Sequence, residues 1–204
     1  MLTQLIILFA FLQNIESIFL PNSKNIRGTK LQVITDYIDY KLPQTPDTVQ
    51  ELDVNKYLGN WYQVYGSPTN FLFQGYGTCL TAQYGLLENG NVSVVNTQVN
   101  IFGELEQISG YAYYKNNYEP GKLTVHLEGV PVDAPYWVVK LGEVINEQYQ
   151  YSIITVPSSI TLWVVTRDVD YFLNNYDKEV KNYLDENGYK YSSIKQDDDC
   201  DYVF

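Results

Sequence analysis

The sequence predicts an all-β fold: an eight-stranded antiparallel up-and-down β-barrel with one C-terminal α-helix packed outside it. Eight strand-length runs follow one another from Trp61 to Asp168, separated by turn signals and with no helical stretch between them. Within the runs apolar residues alternate with polar ones, so each strand has one face to cover. Eight meandering strands cover those faces by closing on themselves, which also removes the sheet edges. The 20 tyrosines among 204 residues fit the same picture, because tyrosine favours strands and suits a wall with one apolar and one polar side.

The elements follow in order. DVNKYLG, from Asp53, reads as one short helical turn with Asp53 as its cap. WYQVYGSP is the first strand. GTCLTAQYGLL is the second, joined through ENGN, a hairpin signal, to VSVVNTQVNIF. LEQISGYAYYK, KLTVHLEG, APYWVVKLG, YQYSIITV and ITLWVVTRD complete the eight. Leu80, Ala82, Tyr84 and Leu86 share one face of the second strand. Ile108, Gly110, Ala112 and Tyr114 share one face of the fourth, and Leu123, Val125 and Leu127 one face of the fifth. Asp170–Asn187 reads as a helix by period, with Phe172, Tyr176, Val180, Tyr183 and Leu184 in one stripe and Gly188 as its stop. The stripe is narrow, so this helix lies against the barrel and not inside it.

Residues 1–17, with the apolar run Leu5–Leu12, read as a signal peptide and predict a secreted protein; the run is too short for a stable membrane helix. Residues 18–50 are poorly patterned and read as an N-terminal arm or pro-segment, leaving residues 51–204 as the barrel domain. The net charge of −11 and the lack of any basic run argue against a nucleic-acid partner. Two cysteines, Cys79 and Cys200, make one disulfide the simplest arrangement in an exported chain, with two free thiols as the alternative. Asn91-Val92-Ser93 is a glycosylation sequon at a predicted hairpin, which makes Asn91 a candidate for sugar.

Catalytic and metal chemistry find little support. His126 is the only histidine and alternates away from the Leu123, Val125 and Leu127 face. With no second histidine or spare cysteine, no His/Cys metal site is expected. There is no nucleophile elbow, no phosphate-binding loop and no dinucleotide fingerprint. The acidic tail DDDCD lacks the spacing of a calcium loop. No cofactor is expected, and the chain is read as a non-enzyme.

Eight meander strands, one late helix and the opening Gly59-x-Trp61, with Thr166-Arg167 after the eighth strand, together resemble the lipocalins. YLGNWYQV, GTCLTAQYGLLENGNVSVVN, APYWVV and LWVVTRD are similar in order and spacing to the apolipoprotein D and bacterial outer-membrane lipocalin (Blc-like) branch. The family's Thr-Asp-Tyr motif after the sixth strand is replaced here by Leu141-Gly142-Glu143, in a longer connection running to Tyr149. The resemblance implies that Trp61 plugs the narrow end of the barrel, that Arg167 lies across its ring, and that Gly59 lets the entering chain pass tightly over that end. It also implies a pairing of Cys79 with the tail cysteine.

The function so implied is the binding and transport of a small hydrophobic ligand, such as a lipid, sterol, retinoid or pigment, in the barrel cavity. Alternation supplies Tyr84, Asn96, Tyr114 and Trp163 as wall residues, and the aromatic-rich sixth strand adds Trp137. Tyr84, Asn96 and Trp163 also match pocket positions of the branch it resembles. An alternative is a barrel-borne isomerase with Cys79 as thiol nucleophile, as in the prostaglandin-D-synthase-like lipocalins. However, Cys79 alternates away from the apolar face of its strand. The loop Asn70–Gly77, with Phe71, Leu72 and Phe73, is a candidate for peripheral membrane or protein contact.

Overall fold

A computed structural model describes residues 45–70, 74–116, 119–196 and 200. Pro46–Phe204 form one unit; of the other, Met1–Thr45, only Thr45 is described. The expected signal peptide, most of the expected arm, and Phe71, Leu72 and Phe73 therefore lie outside the described residues.

Asp53 caps α1 (Val54–Tyr57), its carboxylate accepting from the Asn55 backbone N–H at 3.0 Å. The barrel strands are β1 (Gly59–Gly66), β2 (Gly77–Leu86), β3 (Val92–Asn100), β4 (Leu105–Tyr114), β5 (Lys122–Leu127) and β6 (Ala134–Leu141). A small hairpin, β7 (Val144–Ile145) and β8 (Gln148–Tyr149), precedes β9 (Tyr151–Thr155) and β10 (Leu162–Thr166). Each of the eight long strands pairs antiparallel with the next, and β10 returns to β1 with Tyr62 opposite Thr166 and Gly66 opposite Trp163. The barrel is closed. A short β11 (Ser192–Ser193) adds beside Tyr65 and Gly66 on β1.

The expected alternation holds where register can be read. Val92, Val94, Ala112, Val125 and Leu123 belong to one interior cluster with Trp61, Ala82, Tyr84 and Val138. A second cluster lies outside the barrel wall, where Val64, Ile153, Leu162 and Val164 meet Phe172, Tyr176, Val180 and Leu184. Phe172, Val180 and Leu184 are fully buried, each contributing about 1.5–3 kcal/mol by the area removed from water.

One helix was expected here and two form. α2 (Val169–Asn175) and α3 (Asp177–Glu186) meet at Tyr176, whose backbone is at φ −118°, ψ −17°. Asn174 and Asn175 are weak helix formers. Tyr176 is also held by the barrel, its ring 5.3 Å from Tyr151 and its hydroxyl donating to Glu143 Oε1 at 2.6 Å. The apolar stripe runs on across the break, so the packing expected of one helix is delivered by two.

The connection that departs from the family motif also has a physical account. Asn146 and Glu147 take positive φ (49° and 61°) at the tip of the β7–β8 hairpin, the geometry of a tight two-residue turn. Gly142 is required because a Cβ there would lie 2.5 Å from Cδ1 of Tyr151.

A barrel plugged at one end

Trp61 is the most buried large side chain of the barrel, with no exposed surface. Its Nε1 donates to the Tyr57 carbonyl at 2.8 Å, which ties β1 to the turn that precedes it. The Arg167 guanidinium lies 3.7 Å from the centre of the Trp61 ring, a stack of about 0.5–2 kcal/mol. Arg167 also donates to four backbone carbonyls: Asn60 at 2.7 Å, Leu58 at 2.8 Å, Lys56 at 3.2 Å and Tyr149 at 3.2 Å. One side chain thus joins α1, β1, the β7–β8 hairpin and the end of β10. Burial pulls its pKa down to about 10, which leaves it charged at neutral pH. Gly59 sits at φ +98°, a conformation that suits glycine.

Above this floor lies a narrow apolar hollow. Leu52 and Val54 line it from below, Val94 and Val125 from the walls, and no charged side chain lines it. The space between its walls is little larger than a single water molecule, so the walls stand close. Three tyrosines, Tyr57, Tyr84 and Tyr136, are among its lining residues, and their hydroxyls bond to one another behind the apolar surface. Tyr57 donates to Ser152 Oγ at 2.8 Å, and the Tyr57–Tyr136 and Tyr136–Tyr84 hydroxyl pairs are 2.8 and 3.1 Å apart. Burial raises all three phenols, Tyr84 to about 12.

Of the five expected wall residues, Tyr84 lines this hollow, and Asn96, Tyr114 and Trp163 face the barrel interior beyond it. Tyr84 is buried beside Tyr57, 5.6 Å between ring centres. Tyr114 packs on the interior cluster opposite Leu123. Asn96 follows Val92 and Val94 on the same face of β3, opposite Ile108, and its amide has no hydrogen-bond partner among the described residues. Trp163 packs on the cluster towards the opposite end, where its Nε1 donates to Gln74 Oε1 at 2.9 Å.

Trp137 is a correction. Its strand neighbours Tyr136 and Val138 both face inward, so Trp137 faces outward, opposite Lys122, whose Nζ lies 4.6 Å over its ring. The residue that β6 does contribute is Tyr136, one position earlier. Pro135, Tyr136, Trp137, Val138 and Val139 give both faces of β6 an apolar or aromatic character, which erases the alternation that would have told them apart. Tyr57 and Ser152 were also missed, since nothing local marks a helical-turn tyrosine or a β9 serine as part of one chain of hydroxyls.

Cys79 and Cys200 form a disulfide 121 residues apart in sequence, and neither is a free thiol. Cys79 sits at φ +51° where the β2–β3 register shifts, and packs with Tyr62 and Val99 outside the interior cluster. The nucleophilic reading of Cys79 fails on this point: its sulfur is bonded and faces away from the hollow. His126 is on the outer face, as expected, with Nδ1 2.8 Å from Asp133 Oδ1. Asn91 lies at the β2–β3 turn, its carbonyl accepting from Leu87 at 2.9 Å.

A closed eight-stranded antiparallel barrel, with a buried tryptophan stacked under an arginine and helices packed outside, is the architecture of an up-and-down barrel. The chain belongs to the lipocalin-like domain family, whose model matches residues 52–199. It is similar to apolipoprotein D of Bos taurus, 45% identical over 100 residues, which cover 48% of this chain and 50% of that protein. It is also similar to the outer membrane lipoprotein Blc of Vibrio cholerae, 30% identical over 127 residues, covering 62% of this chain and 71% of that one. The match thus spans about half the length of the first of these relatives. Apocrustacyanin C2 shares the fold, with a TM-score of 0.54 at 16% identity over 74% of this chain and 83% of that one.

Proposed function

We propose that this protein is an exported carrier that holds a small hydrophobic molecule inside the barrel. The observation that carries the reading is the interior itself: an apolar, uncharged hollow, with the Asn96 side chain facing the same interior farther along β3. An inward amide without a partner is costly, and a ligand oxygen or a water would satisfy it. Tyr84, Asn96, Tyr114 and Trp163 are the proposed wall, and Trp61, Gly59 and Arg167 the proposed structural plug. The walls stand close, so binding requires side chains to give way, and micromolar affinity is expected after association costs.

Export is supported by the apolar run in residues 1–17 and by the disulfide, a bond that persists in oxidising compartments. Asn91 is the proposed site of sugar attachment on that route. Contact with a lipid surface through the Asn70–Gly77 end of the barrel belongs to the same proposal; Tyr76, Ile101 and Phe102 are mostly exposed. Its test is vesicle co-sedimentation of the Ile101→Ser, Phe102→Ser variant.

Titrating the purified protein with a sterol, a retinoid, a fatty acid, a fatty alcohol and a carotenoid, and following tryptophan emission, tests the carrier reading. Saturable quenching by at least one of them is expected, weakened by Trp163→Ala and unaffected by Trp137→Ala. No saturable response from any, with the far-ultraviolet circular dichroism of a folded barrel, would sink it.

A further inference from the structure

We propose that the C-terminal tail segment, residues 192–196, is a movable stave of the barrel that swings aside to pass a ligand, with the Cys79–Cys200 bond limiting how far it swings. This rests on the carrier reading and specifies how the closed interior is reached. On one side β1 pairs with β10 over residues 62–66. On its other side β2 follows it only over residues 59–62, and the last pair is Tyr62 with Thr81. Beyond that pair β2 bulges, with Cys79 at φ +51°, and β1 runs on without it. The tail fills the gap. Ser193 and Ser192 pair with Tyr65 and Gly66, and the Ile194 N–H donates to the Val64 carbonyl at 2.9 Å. On the opposite side the Cys79 N–H donates to the Lys195 carbonyl at 3.3 Å.

The interior walls stand close, so some part of the wall has to yield before anything enters. The tail can leave without breaking a bond between any two of the eight barrel strands, whereas parting two of those strands breaks a backbone ladder. The seam is also imperfectly satisfied. Thr81 Oγ1 and Gln196 Oε1 are buried there without a hydrogen-bond partner among the described residues, which weakens the closed state. Behind the tail lie Gln63, opposite Val165, and Gly66, opposite Trp163, and both partners pack in the interior cluster. Moving the tail therefore uncovers the interior beside a proposed wall residue. The mouth is tied across by side chains instead: Asn70 Nδ2 donates to the Leu162 carbonyl at 2.6 Å, and Thr69 Oγ1 to that of Ile160. Gln74 accepts there from both Trp163 and Gln98. A door lowers the barrier in both directions, so it changes the rates of entry and exit and leaves affinity alone.

The test is stopped-flow tryptophan quenching of the full chain with retinol and with cis-parinaric acid. In the Cys79→Ser, Cys200→Ser variant the association and dissociation rates should both rise about tenfold, with their ratio unchanged. Ile194→Pro removes the N–H bonded to Val64 and spares the disulfide, and should accelerate both rates as well. Unchanged rates in both variants, with the circular dichroism of a folded barrel, overturn the inference. So does a change in affinity without a change in entry rate. Acceleration by Gln74→Ala in place of the tail variants puts the entrance at the mouth and overturns it too. Hydrogen exchange gives a reading that needs no ligand: in the unaltered protein the Ile194 amide should exchange faster than the Val138 amide, which is bonded to the Gly121 carbonyl within the wall. Equal protection of the two overturns the movable stave whether or not either probe binds. If neither these probes nor the broader panel binds, the carrier reading falls, and the exchange comparison decides the stave by itself.

Discussion

A methyl group placed on Gly59 would lie 3.2 Å from Nη1 of Arg167, the nitrogen that donates to the Asn60 carbonyl. The glycine and the arginine are 108 positions apart, yet each sets the terms of the other. The chain turns over the barrel floor at φ +98° so that carbonyls of Lys56, Leu58 and Asn60 converge on one guanidinium.

Gly59→Ala is therefore expected to cost about 1–3 kcal/mol, from backbone strain and crowding of the guanidinium. Arg167→Ala should cost about 2–4 kcal/mol, through the lost ring stack and the carbonyls left without a donor. Urea unfolding measures both. Because the two residues touch one structure, the double variant should fall short of the sum of the single ones.

The disulfide closes a long loop, for which chain entropy predicts about 4–5 kcal/mol, with measured values for native bridges spread over about 2–5 kcal/mol. Replacing both Cys79 and Cys200 by Ser should lower the thermal midpoint without changing ligand affinity, since neither cysteine lines the hollow. Peptide mapping without reductant should recover the two cysteines in one linked pair.

Acid should loosen α3 before it opens the barrel. Glu179 is held below the ordinary 4.5 by its ion pair with Lys140, against some burial, and by the Tyr151 hydroxyl. Asp177 is held below 3.8 because bonds from Tyr65 and Lys181 outweigh its own partial burial. Both carboxylates have a lowered folded-state pKa. Their contribution is thus complete above those ordinary values and is lost as pH falls through the lowered ones. Hydrogen exchange at Val180 and Leu184 should quicken in that range. The Asp177→Asn, Glu179→Gln variant should exchange faster at neutral pH and show less further change on acidification.

At alkaline pH the sign reverses. Tyr57, Tyr84 and Tyr136 keep their protons more tightly in the folded state because burial opposes the phenolate, Tyr84 up to about 12. Stability from these groups is present below 10, the ordinary tyrosine value, and falls away as pH rises through 10 and past 12. Phenolate absorbance should show exposed tyrosines ionising first. A later step should coincide with loss of circular dichroism, and Tyr57→Phe, Tyr84→Phe, Tyr136→Phe should reduce its amplitude.

Most of the strand plan was legible in the sequence because alternation and turn residues are local signals. β4 and β5 each bury one face, and Ala112, Leu123 and Val125 were readable as that face. β6 was not, because the outer wall beneath the helices is apolar too, and Trp137 and Tyr136 look alike when both sides of a strand are covered. The helix stripe was legible, while its break at Tyr176 depends on a hydroxyl bond to Glu143, 33 residues away. The inward placement of Tyr84, Asn96, Tyr114 and Trp163 follows from strand periodicity alone.

By itself the sequence determined the closed meander and the outside helical stripe, since short-range pattern and composition suffice for those, whereas Gly59, Trp61 and Arg167 were singled out by a resemblance to a family motif. Only the tertiary structure decided that Tyr84, Tyr136, Tyr57 and Ser152 form one hydrogen-bonded chain, and that Cys79 is spent in a bond. Those facts depend on which side chains from four separate segments meet in space. No periodicity within a strand encodes a meeting between strands.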